Sequence, residues 1–202
     1  MGLPALRDKI IQRAAADILE AIYEQDFIQD SYGYRPGRNA HQAIQAIKKE
    51  LSGKYNHVVE SDIKGFFNNI DHNWLKRMLK ERIDDKAFIG LISKWLKAGI
   101  LDSDGKVVNP MNGCPQGSVI SPVLANIYLH YVIDMWFEKV VKPKCKAEAY
   151  YCRSADDFIF GFKEFNEKMN YYGLIKPRVM EGKYRHCVLK SAVLLEYGSE
   201  YI

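Results

Sequence analysis

Three carboxylates stand out from the rest of the chain by their surroundings. Asp156 and Asp157 interrupt the run YYCRSADDFIFGF, between an aromatic, strand-like stretch (Tyr150, Tyr151, Cys152) and an apolar one (Phe158, Ile159, Phe160). A lone Asp-Asp pair at a turn is ordinarily solvated turn chemistry, because Asp favours turns. Apolar flanks on both sides change that, since they put the charges at the end of buried strands. Asp62 ends a second strand-like run, VVESDIK, far away in the sequence. Carboxylates that converge from separate strands repel and shift one another's pKa values. A hard divalent ion removes the repulsion: Mg²⁺ takes a few carboxylates and lets substrate phosphates complete its shell. Two such ions ~3.5–4 Å apart activate a hydroxyl and stabilise a leaving pyrophosphate.

The elements that must hold these groups follow from periodicity. Leu6 to Phe27 places Ile10, Ile11, Ala14, Ile18, Ala21 and Ile22 at helical spacing, predicting a helix buried on that stripe. The Gly/Pro-punctuated loop DSYGYRPGRNAH follows, and Asn39 is placed to cap a second helix carrying Ala43, Ile44, Ile47 and Leu51. Val58, Val59 and Ile63 predict a strand, followed by a Gly-Phe-Phe-Asn-Asn turn and helices over about 72–80 and 85–98. Asp104-Gly105 predicts a hairpin tip. Ser121-Pro122 opens a long helix whose inner stripe is Ile120, Leu124, Ile127 and Tyr131. Two strands with the aspartates at their turn come next. Beyond Phe162 the pattern fades: Phe165 to Tyr172 reads as helical, and Val188 to Leu195 as strand or helix.

Composition bounds the answer more loosely. At 202 residues and 48% apolar, the chain can bury one substantial core. A net charge of +4 permits a polyanionic partner without demanding one. Cys114, Cys145, Cys152 and Cys187 form no CxxC pair and have no histidine at zinc-ligand spacing, which predicts free thiols in a reducing, cytoplasmic setting. The longest apolar stretch, Val119 to Phe137, contains Ser121, Pro122, Asn126, His130 and Asp134, so it reads as a buried helix and no membrane association is expected. The five histidines show neither ligand spacing nor a nucleophile partner and are assigned structural roles.

Five segments, taken in order, carry a family resemblance. VVESDIKGFFNNIDH, GCPQGSVISPVLANIYLHYVID and SADDFIFGF resemble the three central motifs of reverse transcriptases, specifically those encoded by bacterial group II introns. GLPALRDKIIQ and QDSYGYRPGRNAHQAI resemble that group's preceding fingers motifs, so the likeness runs from about Gly2 to Phe162. It implies an α/β (α+β) fold: a palm with an antiparallel sheet and a catalytic hairpin, packed by helices, with partial helical fingers and no thumb. The expected division is 1–55 partial fingers, 56–162 palm, and 163–202 a divergent segment. The fingers and palm together form one reverse transcriptase domain over about 1–162.

The resemblance also implies a chemistry. Asp62, Asp156 and Asp157 match the catalytic, metal-binding carboxylates, with Ile63 offering a backbone group beside them. Two Mg²⁺ ions would align a primer 3′-hydroxyl with the α-phosphate of a deoxynucleoside triphosphate. Phe67 matches the bulky residue that excludes a ribose 2′-hydroxyl, and Gln116 and Gly117 the loop beside the incoming nucleotide. Arg35 and Arg38 of YRPGR match a segment suited to phosphate contact. An RNA template, a DNA primer and group II intron RNA are the implied partners. The chain departs from the family at Ser154, where a tyrosine is expected before ADD, in starting inside the first fingers motif, and after Phe162, where Tyr171 to Gly173 resembles only a fragment of the maturase region. These departures point to a truncated copy, with a non-catalytic RNA-binding, maturase-like remnant as the alternative.

Overall fold

The computed structural model describes residues 4–52, 54–98, 100–101, 107–108, 112–115, 117–164, 166 and 188–196. They form two compact units interleaved along the chain, one from residues 1–26 and 65–128, the other from 27–64 and 129–202.

The first unit is mostly helical: α1 (Leu6–Tyr23), α3 (Phe66–Asn69), α4 (His72–Lys80), α5 (Lys86–Lys97) and most of α6 (Ser121–Leu129), with a small antiparallel pair β2 (Ile100–Leu101) and β3 (Val107–Val108). The Asp104-Gly105 tip expected between those strands lies outside the described residues. Asp71 and Asp85 cap α4 and α5, each side chain accepting from two backbone amides of the first turn. Gly65, at φ 60, occupies the left-handed region and lets the chain leave the sheet straight into α3, so the expected Gly-Phe-Phe-Asn-Asn turn is one turn of helix.

Helix α1 forms as its periodicity predicts, but it is turned the other way. Gln12, Ala15, Ala16, Leu19 and Tyr23 are buried, while Leu6, Ile10, Ile11 and Ile18 are 47–74% exposed. The physical reason is hydrogen bonding. The Gln12 carbonyl accepts from Ser118 Oγ (2.8 Å) and Val119 N (3.0 Å), and the Tyr23 hydroxyl donates to the carbonyls at the end of α4 (Met78, 3.1 Å). Ala15 and Ala16 lie on the same buried face.

The second unit is a four-stranded antiparallel sheet in the order β4 (Ala149–Ser154), β5 (Asp157–Phe162), β1 (His57–Lys64), β6 (Val188–Glu196). The segment Val188 to Leu195, ambiguous in sequence, is thus a strand, and it makes β1 an interior one. Alternation assigns the two faces. Tyr151, Phe158, Phe160 and Phe162 line one face under a helical run with π-type turns at His130–Asp134 and Phe137–Val141, where the Phe137 ring lies 5.1 Å from both Tyr151 and Phe160. Val58, Tyr150, Cys152 and Ile159 line the other, packed against Ala43, Ile47 and Leu51 of α2 (Ala40–Leu51). Asn39 caps α2 through a reciprocal capping box with Gln42.

From Ile120 to His130 nearly every side chain is buried, so the expected single stripe of the long helix is an all-round buried surface. Among the described residues Cys114, Cys145 and Cys152 form no disulfide. The expected helix over 165–172 lies outside the described residues.

Candidate active site

Strands β4, β5 and β1 bring the carboxylates together by register. Ser154 pairs with Asp157, and Asp157 pairs with Asp62, so the three form one cross-strand row on the sheet face that α2 covers lower down. Directly opposed side chains in an antiparallel pair have Cβ atoms about 4.5–5.5 Å apart, and like charges in that position are destabilising. Asp62 and Asp156 are half-buried and Asp157 is exposed at the rim. The pairing of β1 with β6 shifts register between Asp62 and Ile63, a bulge of the kind that re-aims side chains at the end of a strand. Ile63 itself is buried.

Asp156 belongs to the two-residue tip Ala155-Asp156, in which Ala155 adopts φ 58, a conformation that normally selects glycine. The tip is braced from outside the hairpin. Residues 30–33 run along the free edge of β4: Arg153 N donates to Asp30 O (2.9 Å), and Tyr32 N donates to Arg153 O (2.8 Å). Gly33 then passes so close that a Cβ there would lie 2.1 Å from Ala155 N. Tyr34 follows at φ 53, about half exposed; burial first, and then the charges of Asp156 and Asp157, push its phenol pKa up.

Beneath the tip lies a buried ion pair. Arg153 and Asp134 are both 0% exposed and meet as a fork, Nε to Oδ1 and Nη2 to Oδ2, each at 2.8 Å. The Tyr151 hydroxyl also donates to Asp134 Oδ1 (2.6 Å), and Arg153 Nη1 donates to Ala155 O (3.0 Å). His130 Nδ1 stands 3.7 Å from Asp134 Oδ2, too long for a hydrogen bond. Burial alone would raise the Asp134 pKa, but the Arg153 charge and the donated hydrogen bonds outweigh it and hold the carboxyl well below its usual range.

The other residues expected in the site sort differently. Phe67 and Gly117 belong to the first unit, where Phe67 O accepts from Cys114 N (2.7 Å), tying α3 to the chain at Cys114. Phe67 is partly exposed whereas Phe66 is buried, and Gly117 takes φ 99. Gln116 lies outside the described residues. Arg35 is 8% exposed; its Nη1 donates to the carbonyls of Ile28 (2.7 Å) and Ser31 (2.6 Å), and the guanidinium stacks over Phe27. It anchors the segment that braces the tip. Arg38 is more open, donating to Gln29 and lying over Tyr32. Sequence reasoning passed over Arg153, Asp134, Gly33 and Tyr34. For the ion pair the signal was there: one arginine in an aromatic strand and one aspartate in an apolar helix must find partners.

Among the described residues no group of three or more His, Cys, Asp or Glu side chains is arranged to hold a metal by itself. The Asp62/Asp157 row still fits Mg²⁺, which is bound through one or two carboxylates and completed by water and substrate phosphates.

The family model for reverse transcriptase (RNA-dependent DNA polymerase) matches residues 1–185. The chain belongs to the reverse transcriptase family. Protein YkfC of Escherichia coli K12 is 34% identical over 79% of this chain and 49% of its own length. The group II intron-encoded protein LtrA of Lactococcus lactis is 46% identical over 64% of this chain and 21% of its own length. Such relatives make this a reverse transcriptase-family chain of the group II intron-encoded type, spanning at most about half of either. Apo telomerase from Candida tropicalis shares the fold at TM-score 0.66 and 13% identity, over 96% of this chain and 42% of that one. The α+β palm expected from the motifs is therefore the fold. Among the described residues no helix is long and apolar enough to cross a membrane.

Proposed function

We propose that this reverse transcriptase-family chain carries the RNA-directed DNA polymerase site of a group II intron-encoded protein, extending a DNA primer on an RNA template. The observation that carries the reading is the row in which Asp62 faces Asp157 across paired strands, beside Asp156 on the tip. In the reaction the primer 3′-hydroxyl loses its proton, its oxygen bonds to the α-phosphorus of a deoxynucleoside triphosphate, and pyrophosphate leaves. Two Mg²⁺ ions, when bound, supply the positive charge that favours the alkoxide and the leaving group.

The chain's own residues have separate tasks. Asp62, Asp156 and Asp157 hold the cations, with the Ile63 backbone beside them. The partly exposed Phe67 ring is the barrier to a ribose 2′-hydroxyl. Gln116 and Gly117 shape the nucleotide loop, where a glycine lets backbone approach the substrate. Arg38 contacts the nucleic-acid backbone, as group II intron RNA or as template. Ser154 lies in the carboxylate row where the family has an aromatic ring, and the half-exposed Tyr34, whose phenol feels the charges of Asp156 and Asp157, takes that role.

Primer extension on an RNA template with Mg²⁺ tests the reading. Asp156→Ala should lower extension by at least a hundredfold; extension that survives the substitution overturns the site. RNA binding that ignores both Mg²⁺ and Asp62→Ala, with no extension by the parent chain, would select the non-catalytic maturase-like reading instead.

A further inference from the structure

The Asp134–Arg153 pair is a fully buried forked ion pair of the second unit, and the polymerase reading gives it no task. A forked ion pair with both side chains fully buried is a poor device for stability alone, because desolvating two charges offsets most of their attraction. Its geometry indicates another purpose. Arg153 reaches the catalytic tip by three routes at once: Nη1 donates to Ala155 O at 3.0 Å, its backbone N–H and C=O bind the bracing segment at Asp30 and Tyr32, and it sits one residue before Ser154 of the carboxylate row. Ala155, whose carbonyl it holds, is the residue at φ 58 that sets the direction in which Asp156 leaves the strand. A non-glycine residue keeps such a conformation only where its surroundings over-determine it. Asp134 in turn fixes the guanidinium plane with both of its oxygens, and the Tyr151 hydroxyl fixes Asp134.

We propose that Arg153, oriented by Asp134, is a positioning residue that aims Asp156 and Asp157 for cation binding by pinning the Ala155 carbonyl at the hairpin tip. The inference rests on the metal-site reading above. Its function is one of direction: the pair touches neither the cation nor the substrate, and it supplies a fixed tip that hydrophobic packing, having no preferred orientation, would not. Partners of this outer kind commonly alter metal affinity by 10–100-fold.

The test is Mn²⁺ binding to the whole chain, followed by electron paramagnetic resonance, beside urea unfolding of the same samples. The double variant Arg153→Met with Asp134→Leu, carried with Tyr151→Phe so that no buried hydroxyl is left without its acceptor, replaces the polar cluster by apolar side chains of similar volume, a change expected to keep or raise stability. It should unfold at or above the parent's urea midpoint and bind Mn²⁺ about tenfold more weakly. Arg153→Lys keeps the charge but has no planar fork; it should weaken Mn²⁺ binding several-fold, and it supplies the answer if the double variant does not fold. Mn²⁺ affinity within twofold of the parent in a folded variant overturns the positioning role and leaves the metal site standing. Parent binding that is unmoved by Asp157→Asn overturns the metal-site reading, and the positioning role with it.

Discussion

Gly33 shows how narrowly the Ala155-Asp156 hairpin tip is determined by individual residues. A methyl group there would meet Ala155 N at 2.1 Å, with the backbone of Ser154 also within 3 Å. Neither neighbour is a flexible side-chain end that can swing aside. Gly33→Ala should therefore push the bracing segment off the tip, at a cost of about 1–3 kcal/mol, and reduce primer extension by far more than that loss implies. A urea midpoint equal to the parent's would show that the segment is less closely seated. Ser154 belongs to the same scale. It pairs with Asp157 in the carboxylate row, and in the proposed site it bears on the substrate and not on the fold.

At the scale of elements, the pair linking the π-type turn His130–Asp134 to β4 makes stability depend on acid. The Asp134 pKa is depressed in the folded chain to about 2 from an ordinary 3.8. A depressed carboxylate contributes stability above its unfolded pKa and loses it as pH falls through the folded one. The parent should therefore lose stability between about pH 4 and pH 2. Asp134→Asn leaves Arg153 buried without its countercharge, costing about 3–5 kcal/mol at neutral pH, and should flatten that acid limb. Unfolding followed from pH 7 to pH 2 in both proteins measures the difference; parallel curves would mean that Asp134 is not the titrating group. Strand β6 has a comparable role. By pairing along β1 it places Asp62 on an interior strand, with the bulge immediately after it.

On the scale of the whole molecule, the two units are interleaved, so α1 belongs with residues 65–128 although α2 and β1 intervene. A net charge of +4 is modest for a chain proposed to bind a template-primer duplex, which puts weight on where each cation points. Arg35 is held by two loop carbonyls, whereas Arg38 is partly open. Binding to an RNA–DNA duplex should weaken linearly with log salt, and Arg38→Ala should reduce that slope by about 1. Arg35→Ala should instead lower stability through loss of the bracing loop. Equal slopes for Arg38→Ala and the parent would remove Arg38 from the interface.

The sequence by itself determined the elements and the family. Periodicity marked α1, α4, α5 and β1; Asn39 announced its capping box; and five motifs in order carried the reverse transcriptase resemblance through Asp157. These are local properties, written in spacing and in residue type. Only the tertiary structure decided which way α1 faces, because Gln12 and Tyr23 answer to partners about a hundred and about fifty residues away. It alone gave Val188–Glu196 a place beside β1, seated Arg35 against the Ile28 and Ser31 carbonyls, and joined Asp134 to Arg153. Each of these outcomes depends on pairing between distant segments, where burial and hydrogen bonding, not local propensity, select the arrangement.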